Sequence, residues 1–329
     1  MPEDQVGTET PAAAPQRPLS DGSQRSSLWA ALPLAIGLAA SYAGAPPAMA
    51  GNDALGSKPA PYSVAHAKAR LTSAATGSGL CALGEPVKDS AGWDFGPTKV
   101  VTRVGYQLEH STDDKIPLWV CEHLTKSNVT GPLGRPKPEP FAPDPELPSG
   151  SRAELRDYRG SGFDRGHQAP SADQTRSQSR QNETYYLSNM APQAPKLNQQ
   201  IWKALEERVR NWAVARGELY VITGPMFYDP KEENPLTATG AVRYKKIGPD
   251  KVAVPTHFYK IVASPPNGNG PWDVMAFVME NRGYARPFHL EAQLVSVKWV
   301  EDHTGLTFFP TLATDASGIK STTGEIWPQ

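Results

Sequence analysis

The residues of this chain best suited to chemistry fall in one stretch, Asp157 to Arg216. His167 stands in the run Gly162-Phe163-Asp164-Arg165-Gly166-His167-Gln168-Ala169-Pro170, beside an arginine and an acid, with glycine before it and a proline to close the run. Such a run describes a polar strand end or turn rather than a buried strand, and it can show an imidazole to a ligand. An imidazole titrates near neutral pH, so enough of it is neutral to take a proton from water; a purely structural histidine is the competing reading. Asn198 offers an amide oxygen, adequate for a cation such as Mg²⁺ that keeps most of its waters, and equally suited to bonding backbone at a helix start. Glu206 lies about 12 Å further along a helix axis, too far to share an ion's inner coordination with Asn198, although its side chain leans back toward the N-terminus. Arg210 follows Glu206 at i+4, which explains both as a helix-face ion pair with no further role.

The elements that must position these groups are legible around them. Tyr185 to Gln193 reads as a short aromatic strand that stops at Pro192 and Pro195. Lys196 to Arg216 then reads as a helix, because Leu197, Ile201, Leu205, Val209 and Trp212 recur at helical spacing and Gly217 supplies a stop. Asn198 would lie in its first turn. Upstream, Val100 to Tyr106 and Leu118 to Leu124 read as the two strands of a hairpin about the turn-like Ser111 to Lys115. The proline-crowded Gly131 to Gly150 must be loop. Downstream, Glu218 to Thr223, Lys251 to Ala263 and Trp272 to Met279 extend an antiparallel sheet, Leu294 to Asp302 reads as a short helix, and Leu306 to Phe309 as a last strand. The sum is an α+β fold, a central and mainly antiparallel sheet with helices packed on it.

Strand, strand, helix, with His167 early and Asn198 at the helix start, is the layout of a small metal-nuclease module. The blocks DYRGSGFDRGHQAP (157–170), YYLSNMAPQAPKLNQQIWKALE (185–206), YVITGP (220–225) and KVAVPTHFYK (251–260) resemble the DNA/RNA non-specific endonucleases of the ββα-metal (His-Me finger) superfamily, nearest to mitochondrial endonuclease G and its bacterial relatives. The likeness runs over roughly residues 99 to 312, with its blocks in the right order; one DRGH alone would be weak. The resemblance implies hydrolysis of phosphodiester bonds in DNA and RNA with Mg²⁺ as cofactor and Mn²⁺ as a substitute. His167 would be the general base and Asn198 the metal ligand. Glu206 would bond a water of the ion's hydration sphere, with Arg210 helping to hold the site and contributing to substrate binding. Arg165 would bind phosphate or transition-state oxygens. Asp164 is expected to pair with an arginine and fix the loop, and Asn189 to orient the histidine strand. Arg135 matches an upstream phosphate-binding arginine, at a spacing to Phe141 longer than usual. A homodimer and an inhibitor protein are compatible partners that the sequence does not display.

Composition bounds these expectations. The 329 residues, 39% hydrophobic, suffice for one large domain, and a formal charge of -1 argues against an electrostatically dominated binder of the histone kind. Locally the balance differs: Ser151 to Arg216 holds 11 Lys and Arg against 7 Asp and Glu, an excess compatible with a phosphodiester chain and also with a solvated helix face. Cys81 and Cys121 form no zinc-like cluster; one bridge in an oxidising compartment and two free buried thiols both remain open. Residues 1–50 read as a polar leader plus signal peptide, with the apolar Leu28 to Ala45, Arg25 before it and Ala48-Met49-Ala50 ahead of Gly51. The acidic stretch in front is atypical. Residues 51–79 read as a linker, with a weak helical hint at Tyr62 to Leu71, and 80–329 as a single nuclease domain. The mature protein is expected to be periplasmic or secreted and not held to a membrane; an uncleaved anchor or mitochondrial targeting is the alternative, although a mitochondrial leader would be rich in Arg and poor in acids. Two other classes compete with an enzyme: a nucleic-acid-binding module on the same fold that has lost catalysis, and a secreted interaction domain. Retention of His167, Arg165, Asn198 and Glu206 together argues against both.

Overall fold

A seven-stranded sheet carries the site. From edge to edge its strands are Leu294–Val295, Asp273–Glu280, His257–Ser264, Glu218–Met226, Ile116–Thr125, Tyr106–Ser111 and Thr98–Thr102, and every neighbouring pair is antiparallel. The computed structural model describes residues 79–81, 83–88, 95–228, 242, 244–266, 271–312 and 318–328, all within the compact unit Arg70–Gln329. The leader, the export signal and the helical hint at Tyr62 to Leu71 lie outside the described residues. Among the described residues no helix is long and apolar enough to cross a membrane.

Side chains alternate across the sheet, as a period of two requires, and each face has its own core. Phe258 and Val262 join Leu197, Ile201, Trp202, Leu205, Val209 and Trp212 of the long helical segment on one face. Tyr259, Ile261 and Ala263 join Val297 and Val300 of the helix Val297–Thr304, with Cys81, Leu306 and Phe308, on the other. The result is three layers, helix on sheet on helix, each buried large apolar side chain contributing about 1.5–3 kcal/mol. Cys81 and Cys121 are joined in a disulfide with Cα atoms 5.4 Å apart, fastening the first described residues to a central strand.

Four readings of the sequence need correction. Val100 to Tyr106 is not one strand: a tight turn, closed by Arg103 N donating to Tyr106 O at 2.8 Å, separates the edge strand Thr98–Thr102 from Tyr106–Ser111. It is the latter that forms the hairpin with Ile116–Thr125. Lys251 to Ala263 breaks at Pro255, which has no N–H for a ladder. Val252–Val254 pairs with Lys245–Ile247, while His257–Ser264 enters the main sheet. Leu294–Val295 is an edge strand, and the helix begins only after Ser296, whose hydroxyl accepts from Trp299 N at 3.0 Å. Finally, within Tyr185 to Gln193 a 3₁₀ turn, Leu187–Asn189, precedes a strand limited to Met190–Gln193.

Candidate active site

The strand Asp164–His167 pairs antiparallel with Met190–Gln193, setting Arg165 opposite Pro192, Gly166 opposite Ala191 and His167 opposite Met190. Only glycine fits at 166, because a Cβ there would lie 2.3 Å from Gln193 Oε1. The chain then turns into the long helix, which opens as a π-turn, Leu197–Trp202, before the regular α-helix Lys203–Arg216. Leu197 N and Asn198 N both donate to Ala194 O at 2.9 Å, closing the chain onto the helix, and Asn198 falls inside the π-turn, a widened turn of the kind often found at functional sites. Gly217, with φ 90°, ends the helix.

These elements meet at a cleft of about 900 Å³ lined by Arg135, Asp164, Arg165, His167, Asn198, Glu206 and Arg210. His167 is half-buried, its ring edge-on to Tyr185 with centroids 5.1 Å apart and tilted against Phe141 at 5.6 Å. Its Nε2 is buried without a protein partner, which leaves Nδ1 as the nitrogen able to face the cleft. Burial, and then the charges of Arg135 and Arg165, push its pKa down to about 3. The ring is therefore neutral at physiological pH, the form a base requires. The Arg165 guanidinium stacks over Phe141 at 4.1 Å from the centroid, an arrangement that fixes the cation without neutralising it.

Asp164 does not pair with an arginine. Its Oδ2 accepts from Asn198 Nδ2 at 2.9 Å and from Gln199 Nε2 at 2.8 Å. A carboxylate can only accept, so this contact fixes which way the Asn198 amide points and leaves Oδ1 available to a cation. Among the described residues no three His, Cys, Asp or Glu side chains gather as a metal cage; the donor set instead suits a hydrated hard cation held by very few protein groups. Arg210 likewise does not take Glu206 as its partner: Nη1 donates to Asp173 Oδ1 at 2.8 Å, tying the helix to the turn after the histidine strand. Glu206 is pushed up to about 7 by burial, with Lys260 opposing and Asp173 adding to the shift. Arg135 stays largely exposed and ion-paired to Glu139 at the rim. Asn189 is fully buried outside the cleft: its amide accepts from Ala169 N and donates to Ala169 O and Thr184 O, all at 2.9 Å. It can touch no substrate, and what it holds is the segment leaving His167.

Several groups at the site were not singled out from sequence. Phe141 and Tyr185 frame the imidazole; in the sequence Phe141 served only as a landmark for the spacing of Arg135, with no role of its own. Asp173 anchors Arg210 from a turn with no motif. Lys260, buried beneath Trp202 with its ammonium 5.4 Å from the ring centroid and donating to Thr223 Oγ1 at 2.5 Å, had a signal: in a strand of period two it shares a face with Phe258 and Val262.

Comparison with known proteins follows the same geometry. The family model for DNA/RNA non-specific endonucleases matches residues 93–315. Mitochondrial endonuclease G of Bos taurus is 36% identical over 228 residues, 69% of this chain and 75% of that protein. Nuclease C1 of Cunninghamella echinulata var. echinulata is 36% identical over 219 residues, 66% and 84% of the two chains. Among solved structures, EndoG in its complex with EndoGI superposes with a TM-score of 0.63 at 32% identity, covering 71% of this chain and 91% of that one. With the match spanning the histidine strand, the long helix and the whole seven-stranded sheet, this chain belongs to the DNA/RNA non-specific endonuclease family.

Proposed function

We propose that the cleft hydrolyses phosphodiester bonds of both DNA and RNA with a divalent cation, Mg²⁺ or in its place Mn²⁺, held through Asn198 Oδ1. The observation that carries this reading is the Asp164 contact to Asn198, which turns a carbonyl oxygen free in the same cleft as a neutral imidazole. His167 takes the proton of the attacking water at Nδ1. Arg165, rigid on Phe141, and Arg135 at the rim bind phosphate oxygens, and Arg210 adds positive charge from the helix while bracing the turn at Asp173. Glu206 lines the cleft further along the helix, where its carboxylate would accept from water hydrating the ion. Asp164 and Asn189 are positioning groups, for the amide ligand and the histidine segment. When bound, the cation neutralises charge developing on the phosphate and stabilises the leaving oxygen. A binding module without catalysis has no need of a neutral base beside an oriented amide.

The disulfide supports a compartment more oxidising than the cytosol: periplasmic or secreted, or, as the name of the bovine relative suggests, mitochondrial. The solved EndoG complex with EndoGI makes an inhibitor protein a reasonable partner to seek. Nicking of supercoiled plasmid with and without EDTA tests the central reading. Cutting should require the cation and fall at least ~10²-fold in His167→Ala, with folding and nucleic-acid binding retained; EDTA-resistant cutting, or a His167→Ala protein of near-normal turnover, would overturn it.

A further inference from the structure

The turn that delivers Asn198 is poorly equipped to hold itself. Through the end of the strand Met190–Gln193 and into the turn before the helix the chain reads Ala191-Pro192-Gln193-Ala194-Pro195, and two prolines leave this run only three backbone N–H donors. Ala194 is the pivot, since its carbonyl takes both Leu197 N and Asn198 N. Its own N–H goes to a residue remote in sequence: Asn281 Oδ1 accepts it at 2.7 Å. The same amide donates through Nδ2 to Pro192 O at 3.0 Å and to Pro255 O at 2.9 Å, while Asn281 N donates to Thr256 O at 2.7 Å. Asn281 directly follows the sheet strand Asp273–Glu280, so this one side chain fastens the pivot of the metal-ligand turn to the end of the rigid sheet. No shorter or singly functional side chain offers one acceptor and two donors in that fork.

We infer that Asn281 is a positioning residue for the cation site, holding the Ala194 turn so that Asn198 presents its amide oxygen at a fixed place. The inference rests on the reading of Asn198 as the metal ligand. Asp164 sets the rotation of the Asn198 amide from one side; Asn281 sets the backbone that carries it from the other. Groups that orient a ligand without touching the ion cost about ten- to a hundred-fold in metal affinity when lost.

The test is Mn²⁺ binding to the intact protein, with no nucleic acid present, read by the EPR signal of free ion. Asn281→Ala removes the whole fork. Asn281→Asp keeps the size and the bond from Ala194 N–H while losing both donations, and serves if the alanine variant does not fold. For each folded variant, checked by circular dichroism, the dissociation constant for Mn²⁺ should rise, roughly ten-fold for Ala and several-fold for Asp. The cation concentration giving half-maximal cleavage should move with it, and KM for DNA should not. Adding Asn281→Ala to Asn198→Ala should cost no further affinity, because the first acts through the second. A folded variant with lower melting temperature but unchanged Mn²⁺ affinity would make the fork merely structural and overturn the inference. If Asn198→Ala itself leaves Mn²⁺ affinity intact, the ligand assignment fails instead, whatever Asn281 does.

Discussion

At the scale of single residues, burial sorts two titratable groups of the cleft, His167 and Glu206, into opposite roles. His167 is pushed down to about 3 by burial and by Arg135 and Arg165, so its neutral form is available at every pH above that value. Glu206 is pushed up to about 7 by burial first, with Lys260 and Arg210 opposing, so its carboxylate is present only as pH rises through neutrality. In cation-free protein the Glu206 carboxyl should therefore titrate near 7, read by its side-chain carbon resonance, and added Mg²⁺ should move that titration to lower pH; a carboxyl already ionised at about pH 5 without cation, or one that ignores Mg²⁺, would remove Glu206 from the site. In cation-free protein the His167 ring resonances should not titrate between pH 8 and roughly 4, a range an unperturbed imidazole would cross. The placement of His167 on a strand and Asn198 at a helix start was legible because motif and helix start are local properties of the chain. The protonation states were not, since they depend on residues such as Arg135 and Lys260 that only the fold brings near.

At the scale of elements, the contact between the histidine strand and its partner leaves no room for a methyl group. Gly166→Ala would place a Cβ 2.3 Å from Gln193 Oε1 and 2.6 Å from Gln193 Cβ, so one strand must shift. Overpacking of this kind costs about 1–3 kcal/mol, and the displacement falls one residue from His167. Thermal melting should show the destabilisation, and cleavage measured below the melting range should drop as well; a fully stable and active Gly166→Ala protein would mean that the two strands are not packed this tightly. The period of Leu197, Ile201, Leu205, Val209 and Trp212 announced the helix, and the helix-side core is built from those residues. Its π-turn opening was invisible, because apolar spacing along one face does not set the hydrogen-bond step of the first turn, and Ala194 ahead of it is bonded to Asn281, 87 residues away. The turn at Arg103 to Gly105 escaped for a related reason: Gly105 packs against Gln174, where a Cβ would come within 2.4 Å of the side-chain oxygen, a contact across 69 residues.

At the scale of the whole molecule, the two faces of the sheet separate stability from chemistry. The Cys81–Cys121 bridge lies in the core away from the long helix. Closing a loop with a separation of 40 residues is worth about 4 kcal/mol in the chain-entropy account, so reduction should lower the melting temperature by several degrees while turnover below the transition stays close to normal. The charge pattern makes a second separation, between affinity and specificity. The chain as a whole carries -1, yet Ser151 to Arg216 carries 11 basic against 7 acidic residues, and the cleft sets Arg135, Arg159, Arg165, Arg210 and Lys203 beside an imidazole, amides and the carboxyl groups of Glu139, Asp164 and Glu206. Arginines of this kind meet phosphate oxygens, which carry no sequence information. None of the groups assigned to the reaction needs a 2′-hydroxyl, so DNA and RNA should both be cut, with preferences among sequences arising from groove shape and flexibility. Binding should weaken as salt rises through counterion release, with a modest slope because the local excess is small. Cleavage and binding of random-sequence DNA and RNA across a salt series measure all of this at once. A single recognition sequence, inactivity toward one of the two sugars, or affinity indifferent to salt would mean that the cleft reads more than the phosphate backbone.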